Sequence, residues 1–281
     1  MIKRILLSVS QAPTDASETA LALELAGRFG AEITGFTAVD TERIALQVPK
    51  AVGYYSYHVK EIESLVEAAQ SEAEGAIEAL RAVCKKEGAA FQSAAAGPHG
   101  EANLSAVWRF HDVCVIPMNL WVPGAEKLAD PDSVLNLVMM GLRPLIAVPK
   151  AIPSARPSKV LVALSGSLES AKALKQFIQL QLYPGVAMHL VTVGNPKSGE
   201  TSQELLDQAS TFLEAHGHPV TTACLEEGGD RVEILLGEAD RAGAEMFVIG
   251  SSYKKLLMMK RFGKHALGLL ERSHLPVFIS H

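Results

Sequence analysis

The stretch "SKVLVALSGS", residues 158–167, runs from an apolar segment into a small polar turn. A short run of β-branched and apolar residues that ends in a turn is typical of a strand buried on both faces of a sheet. Near the start of the sequence, "KRILLSVS" at residues 3–10 has the same pattern. A helical pattern follows in both places, so the chain contains an internal repeat.

The repeat continues along both halves of the sequence. "AEITGFTAVD" at residues 31–40 matches "VAMHLVTVGN" at 186–195, and "RPLIAVP" at 143–149 matches "HLPVFIS" at 274–280. Strands that alternate with helices predict an α/β fold. We therefore expect two tandem Rossmann-like domains, each a five-stranded parallel sheet flanked by helices. The expected bounds are 1–149 for the first domain, 150–157 for a proline-rich linker and 158–281 for the second domain.

The composition limits the classes of partner. A net charge of −5 and a pI of about 6.0 provide no basic surface for nucleic acid. Cys84, Cys114 and Cys224 lie far apart without a CxxC pair, which fits a reducing compartment. The N-terminus lacks the apolar core of a signal peptide, and no run is long enough to span a membrane. We expect a cytoplasmic protein that binds neither nucleic acid nor membrane.

Two turns at the ends of predicted strands have the composition of phosphate-binding loops. Phosphates are held where backbone N–H groups converge on a helix N-terminus, and glycine allows the close approach. The first turn includes Ser167 as a predicted N-cap, and the second lies in "FVIGSSYKKLLMMKRFGKHALGLL" at residues 247–270. The candidate ligand-binding residues are Ser165, Gly166, Ser167, Gly250, Ser251, Ser252, Gly263 and Lys264.

The two halves together resemble the tandem, two-domain type of the universal stress protein family. Nucleotide-binding members of that family have a glycine, two residues, a second glycine, nine residues and a third glycine followed by Ser or Thr. Here Gly250 and Gly263 stand at the first and third positions, Tyr253 replaces the second glycine, and Lys264 replaces the hydroxyl residue. The spacing is kept, while the chemistry is altered.

The family's other marker is an aspartate after the first strand, and it is absent from both halves. Ser165 takes its place in the second half and Ser10 in the first. The loop after the fourth strand of the first half has Pro117 and Leu120 in place of the first two glycines. The resemblance therefore implies an ATP-binding motif that is degenerate in both halves.

Three functions compete at this point. The first is a non-enzymatic stress-response protein that acts through contacts with a protein partner. The second is a sensor whose second domain binds ATP, AMP or another small anionic molecule. The third is a weak nucleotide hydrolase, for which no base is identified. "SGSLES" at 165–170 also resembles the SGGxDS loop of ATP pyrophosphatases, but this short match is outweighed by the repeat. No catalytic residue, metal ligand or required cofactor is indicated.

The family resemblance also implies how the two halves assemble. Members commonly dimerise through the last strand, so residues 145–148 are expected to pair with residues 277–279 in an intramolecular pseudo-dimer, and a homodimer is the further possibility. Residues 41–60 form an insertion with Tyr54, Tyr55 and Tyr57. It is interpreted either as a lid or contact surface, or as an ordinary insertion on the flank of the domain.

Overall fold

A computed structural model describes residues 1–9, 16–37, 44–45, 48, 55–94, 106–118, 144–251, 253–256, 259–262 and 264–281. For residues 55–58, 253–256 and 259–262 the description covers the backbone alone.

Within these ranges, ten strands form one continuous sheet. Their order across the sheet is β3-β2-β1-β4-β5-β12-β9-β6-β7-β8. The strands of the first half are β1 (Arg4–Ser8), β2 (Glu32–Phe36), β3 (Phe91–Ser93), β4 (Val113–Pro117) and β5 (Leu145–Val148). Those of the second half are β6 (Lys159–Ala163), β7 (Ala187–Val193), β8 (Val220–Leu225), β9 (Met246–Gly250) and β12 (Val277–Ser280). Each half is parallel throughout, as the apolar strand patterns predicted.

Helices cover the two faces of this sheet. They are α1 (Ser17–Phe29), α2 (Tyr55–Lys86), α3 (Leu168–Gln179), α4 (Ser202–Ala215), α5 (Arg231–Ala242) and α6 (Lys264–Arg272). Helix α3 begins as predicted, because the Ser167 hydroxyl accepts a hydrogen bond from the backbone N–H of Ser170. The α/β class and the two Rossmann-like halves are thus confirmed.

The two halves meet through their last strands. Strands β5 and β12 are antiparallel, with Ala147 opposite Val277, Ile146 opposite Phe278 and Leu145 opposite Ile279. The predicted pairing of residues 145–148 with 277–279 is therefore confirmed within the chain. It removes two strand edges that would otherwise be open to other chains.

The segment between the two halves has no helix or strand, and a residue of the second half forms a hydrogen bond with it. Tyr183 donates a hydrogen bond from its hydroxyl to the carbonyl of Ala155 at 3.2 Å. The Arg28 guanidinium lies 4.8 Å from the centre of the Tyr183 ring, which links helix α1 to the same place. The domain bounds at 149 and 158 stay a prediction.

The basic segment after β9, which was interpreted from the sequence as a turn, contains a β-hairpin. Strands β10 (Tyr253–Leu256) and β11 (Met259–Phe262) form an antiparallel pair with Lys254 opposite Arg261 and Lys255 opposite Lys260. Like charges directly opposite each other are unfavourable in a ladder, so charge alone gave no sign of a hairpin.

The insertion at 41–60 is described only in part. Its residues from Tyr55 onward are the first turns of helix α2, which is 32 residues long. Tyr54 and most of the preceding residues lie outside the described residues, as do Ser10 and Leu120. None of the helices in the described ranges combines the length and apolar character that a membrane crossing needs.

Candidate functional site

A pocket opens at the carboxyl ends of the second-half strands. Strand β6 lies between β7 and β9: the chain continues from β6 to β7 and β8 on one side and then crosses to β9 on the other side. Such a switch point in strand order is where parallel α/β sheets form a ligand crevice. The pocket has a volume of about 90 Å³. Its lining consists of Ala163, Leu164, Ser165, Ser167, Ser170, Val191, Thr192, Val193, Gly194, Asn195, Pro196, Lys197, Arg231, Leu235, Ile249, Gly250, His265, Ala266 and Leu269.

The turn after β6 is held by hydrogen bonds among its own serines. The Ser165 hydroxyl donates to the Ser167 hydroxyl at 3.2 Å, and the Ser170 hydroxyl donates to the Ser167 carbonyl at 2.8 Å. Ser165, which occupies the position of the family's aspartate, therefore contributes a neutral group that is part of a hydroxyl network.

The N-terminus of helix α3 already has acceptors for its backbone N–H groups. Ser167 caps the Ser170 N–H. Hydrogen bonds from Glu169's own backbone N–H and from the Ser167 hydroxyl lower the pKa of the Glu169 carboxyl. A phosphate at this helix start would have to displace an internal carboxylate, which makes it a poor backbone cradle.

Close packing is enough to explain why glycine occupies the two candidate glycine positions that the structure describes. Gly166 has φ of +69°, and a Cβ there would lie 2.4 Å from the Ser198 hydroxyl oxygen. At Gly250 a Cβ would lie 2.4 Å from the carbonyl carbon of Glu169, because the end of β9 packs directly on the start of α3. Both positions require glycine for the fold itself.

Three basic side chains line the mouth of the pocket: Lys197, Arg231 and His265. The Arg231 guanidinium is held by Glu227, whose Oε1 accepts from Nε at 2.9 Å and from Nη2 at 2.6 Å. This ion pair lies against Gly194 at the end of β7, where an added Cβ would be 3.3 Å from Arg231 Nη2. None of the described residues that line the pocket is an aspartate or glutamate.

The pKa of His265 is shifted by the charged side chains around it. Partial burial of the ring, followed by the charges of Arg231 and Lys197, lowers its pKa below the usual 6.5, and Asp230 and Glu227 oppose the shift. A lowered pKa favours the neutral imidazole over the imidazolium.

Of the eight candidates, Ser165, Ser167 and Gly250 line the pocket, and Gly166 shapes the turn beside it. Ser251 lies outside the lining: its N–H donates to the Ser280 carbonyl at 2.9 Å, and its own carbonyl is 2.8 Å from the His281 ring. That N–H is therefore taken up by the sheet and does not face a phosphate. Ser252 and Gly263 lie outside the described residues.

Lys264 lines a second, neighbouring cavity of about 430 Å³. Arg231 and His265 line both cavities, so they form the wall between them. In the second cavity Arg272 pairs with Asp230 at 2.7 Å and with Glu233 at 3.0 Å, so its charge is already neutralised.

Lys197 and Arg231 were not among the residues predicted to bind a ligand. Both had a detectable signal, because each follows the carboxyl end of a predicted strand, the edge where a parallel sheet places its ligands. Arg231 also follows Asp230, which caps α5 by accepting from the Val232 N–H. Within the described ranges, no three His, Cys, Asp or Glu side chains come together in a way that could hold a metal ion.

Comparison with known proteins supports the fold and gives a family match for the second half of the chain. The family model described as "Universal stress protein family" matches residues 157–281. A universal stress protein from Archaeoglobus fulgidus DSM 4304 superposes with a TM-score of 0.65 at 16% identity, over 99% of this chain and 95% of that one. A putative universal stress protein from Pseudomonas aeruginosa UCBPP-PA14 gives 0.58 at 15%, over 99% and 93%. A protein of unknown function from Pseudomonas aeruginosa PAO1 gives 0.56 at 15%, over 99% and 92%.

No curated protein sequence matches the chain significantly. The structural matches, all at low identity, show a shared fold that extends through both halves. Residues 157–281 match the model of the universal stress protein family, and the first half repeats the same Rossmann-like architecture.

Proposed function

We propose that this chain is a non-enzymatic cytoplasmic stress-response protein that acts through a protein partner, and that its second half binds a small anionic molecule. The observation that carries the ligand part is the set of three basic side chains, Lys197, Arg231 and His265, that line a pocket whose other walls are apolar and neutral polar side chains. Apolar walls with a few converging polar groups are the usual form of a small-molecule site.

The anion in this proposal is held by side chains instead of backbone N–H groups. The start of α3 is satisfied by Ser167 and Glu169, and the Ser251 N–H is bonded within the sheet. Lys197 can donate to a phosphate, carboxylate or sulfate, and so can Arg231, whose Nε and Nη2 already donate to Glu227. A ligand with an apolar or aromatic part would place that part against Val191, Leu235 and Ile249.

The protein-contact part rests on the changes at Ser165, Tyr253 and Lys264, which remove the acid and the open backbone of a nucleotide site. A site altered in this way suits a weaker or different ligand that modulates the partner contact. A nucleotide hydrolase is the least supported alternative, because no described carboxylate lines the pocket to act as a base.

The ligand part is tested by isothermal titration calorimetry with AMP, ATP, pyrophosphate and the uncharged control adenosine. AMP and ATP are the first probes because nucleotide-binding members exist in the family that the sequence resembles. We expect the three anions to bind with one site per chain and adenosine to bind much more weakly.

Matched variants locate the binding. Arg231→Gln is expected to weaken AMP binding about tenfold or more, since a charge-assisted hydrogen bond contributes roughly 1.5–3 kcal/mol. Lys175→Gln makes the same change of charge on an exposed face of α3 and should leave binding unchanged. If no anion binds, or if the two variants behave alike, the pocket has no such role.

A further inference from the structure

We propose that anion binding in the second-half pocket is coupled to proton uptake by His265, which makes the affinity of this pocket depend on pH near neutrality. The inference rests on the proposed function of the pocket and adds its regulation. It concerns a residue that the two cavities share, one position after the Lys264 that the motif comparison singled out.

The location of His265 brings its ring to the place where an anion would enter. It is the second residue of helix α6, it lines the pocket together with Arg231 and Lys197, and it also lines the second cavity. An anion that contacts Arg231 and Lys197 would therefore lie next to the imidazole. A neutral imidazole offers at most one N–H donor, whereas the imidazolium offers two and a positive charge.

The charged groups around His265 come from several elements. Arg231, Asp230 and Glu227 lie at the start of α5 and just before it, and Lys197 follows β7. Lys264, Glu271 and Arg272 line the second cavity on the same helix as His265. Glu227 and Asp230 are already paired with Arg231 and Arg272, so within the described chain they provide only partial compensation for a new positive charge.

The sign of the coupling follows from these charges. Burial of the ring, followed by the charges of Arg231 and Lys197, keeps the pKa of His265 below its usual 6.5. An added anion offsets the cations and stabilises the imidazolium, so the pKa rises on binding. Affinity is then highest below the pKa of the free protein and falls as the pH rises through the pKa of the complex. Each unit of pKa difference corresponds to about a tenfold change in affinity.

The test is calorimetric titration with AMP between about pH 5.5 and 8, in two buffers of different ionisation enthalpy. The difference between buffers gives the number of protons taken up. His265→Gln is the test variant and Lys175→Gln the control. The phosphate of AMP titrates in the same range, but its contribution is common to all three proteins, so the difference between wild type and His265→Gln isolates the histidine.

We expect wild type and Lys175→Gln to take up a fraction of a proton more than His265→Gln. The ratio of their affinity for AMP to that of His265→Gln should fall as the pH rises. A histidine NMR titration of the wild type should show the His265 pKa below 6.5 without AMP and higher with it. If AMP binds with equal proton uptake in wild type and His265→Gln, and the NMR pKa of His265 is unchanged, this inference is overturned. The proposed function of the pocket would not be affected by that result. Absence of binding by AMP at every pH would overturn both.

Discussion

Phe278 of strand β12 lies directly opposite Ile146 of strand β5, and both side chains are fully buried at the centre of the ten-stranded sheet. Phe278 also meets the Phe177 ring edge-on, with ring centres 5.2 Å apart. Residues of both halves therefore belong to one hydrophobic core, which includes Ile2, just before β1, and Leu213 in α4. The two halves of the pseudo-dimer are therefore packed together where β5 pairs with β12.

Phe278→Ala should destabilise both halves together. Truncation of a buried Phe leaves a cavity and costs about 3–5 kcal/mol. Urea unfolding followed by far-UV circular dichroism and by tryptophan fluorescence should give coincident transitions at a lower midpoint. Leu168→Ala, at a side chain that is 76% exposed, is the control and should change stability by less than about 0.5 kcal/mol. Separate transitions for the two probes would contradict a shared core.

Glu238 is the centre of a buried polar network in the second half. Its carboxylate lies 2.6 Å from His189 Nε2 and accepts from Arg241 Nε at 2.7 Å, while His189 Nδ1 is 2.8 Å from the Thr221 hydroxyl. Glu238→Gln should lower the free energy of unfolding at pH 7 by about 1–3 kcal/mol, because charge-assisted hydrogen bonds are lost.

The pH dependence of that loss has a definite sign. The hydrogen bonds from Arg241, and then from His189, lower the pKa of Glu238 below its usual 4.5. A lowered carboxyl pKa stabilises the fold above the unfolded value and loses that contribution as the pH falls through the folded value. The difference between the free energies of unfolding of wild type and Glu238→Gln should therefore shrink as the pH falls below about 4.5. A difference that grows below about pH 4.5 would be inconsistent with the network.

Gly250 and Gly237 provide a matched pair of glycine substitutions. Gly250→Ala should destabilise the protein by at least about 1–3 kcal/mol, because the new methyl group meets the backbone of Glu169 and Ser170 at about 2.4–2.5 Å. Gly237→Ala, inside helix α5 with nothing within 4 Å of the new Cβ, should stabilise it by about 0.5–1 kcal/mol. Thermal unfolding of the two variants measures both. Equal stability of Gly250→Ala and wild type would show that β9 and α3 are not in close contact.

Thr192 tests whether a polar group at the pocket wall is used by a ligand. Its hydroxyl oxygen is buried and has no hydrogen-bond partner in the described part of the chain. Thr192→Val keeps the shape and removes an unsatisfied group, so the ligand-free protein should become more stable by up to about 1–3 kcal/mol. Thermal unfolding checks the stability, and calorimetry with AMP on the same variant shows whether the hydroxyl also contacts a ligand. A less stable Thr192→Val would mean that the hydroxyl has a partner.

The fold could be predicted from the sequence because its strands and its duplication are visible as local patterns of apolar residues. Apolar runs such as residues 159–163 and 145–148 predicted parallel strands, and the repeat predicted two copies. The pairing of β5 with β12 came from the family resemblance, and the structure confirmed it. The hairpin of β10 and β11 was missed because its ladder places lysines and arginine opposite one another.

The candidate site was harder to predict, because the sequence does not show whether a glycine is required for ligand binding or for packing. Gly166 and Gly250 were interpreted as phosphate-loop glycines, while packing against Ser198 and Glu169 also requires them. The cations at the pocket mouth come from three separate places in the chain, after β7, at the start of α5 and in α6. The strand order brings Lys197, Arg231 and His265 to one edge of the sheet, and their spacing in the sequence matches no recognisable motif.

An amide NMR titration of the full chain with AMP tests the central claim most directly. The account predicts saturable shifts, at one AMP per chain, for the backbone amides of Ser165, Ser167, Gly194 and Arg231, while the amides of β1 to β3 stay in place. Shifts that do not saturate, or that fall in the first half instead of around this pocket, would contradict it.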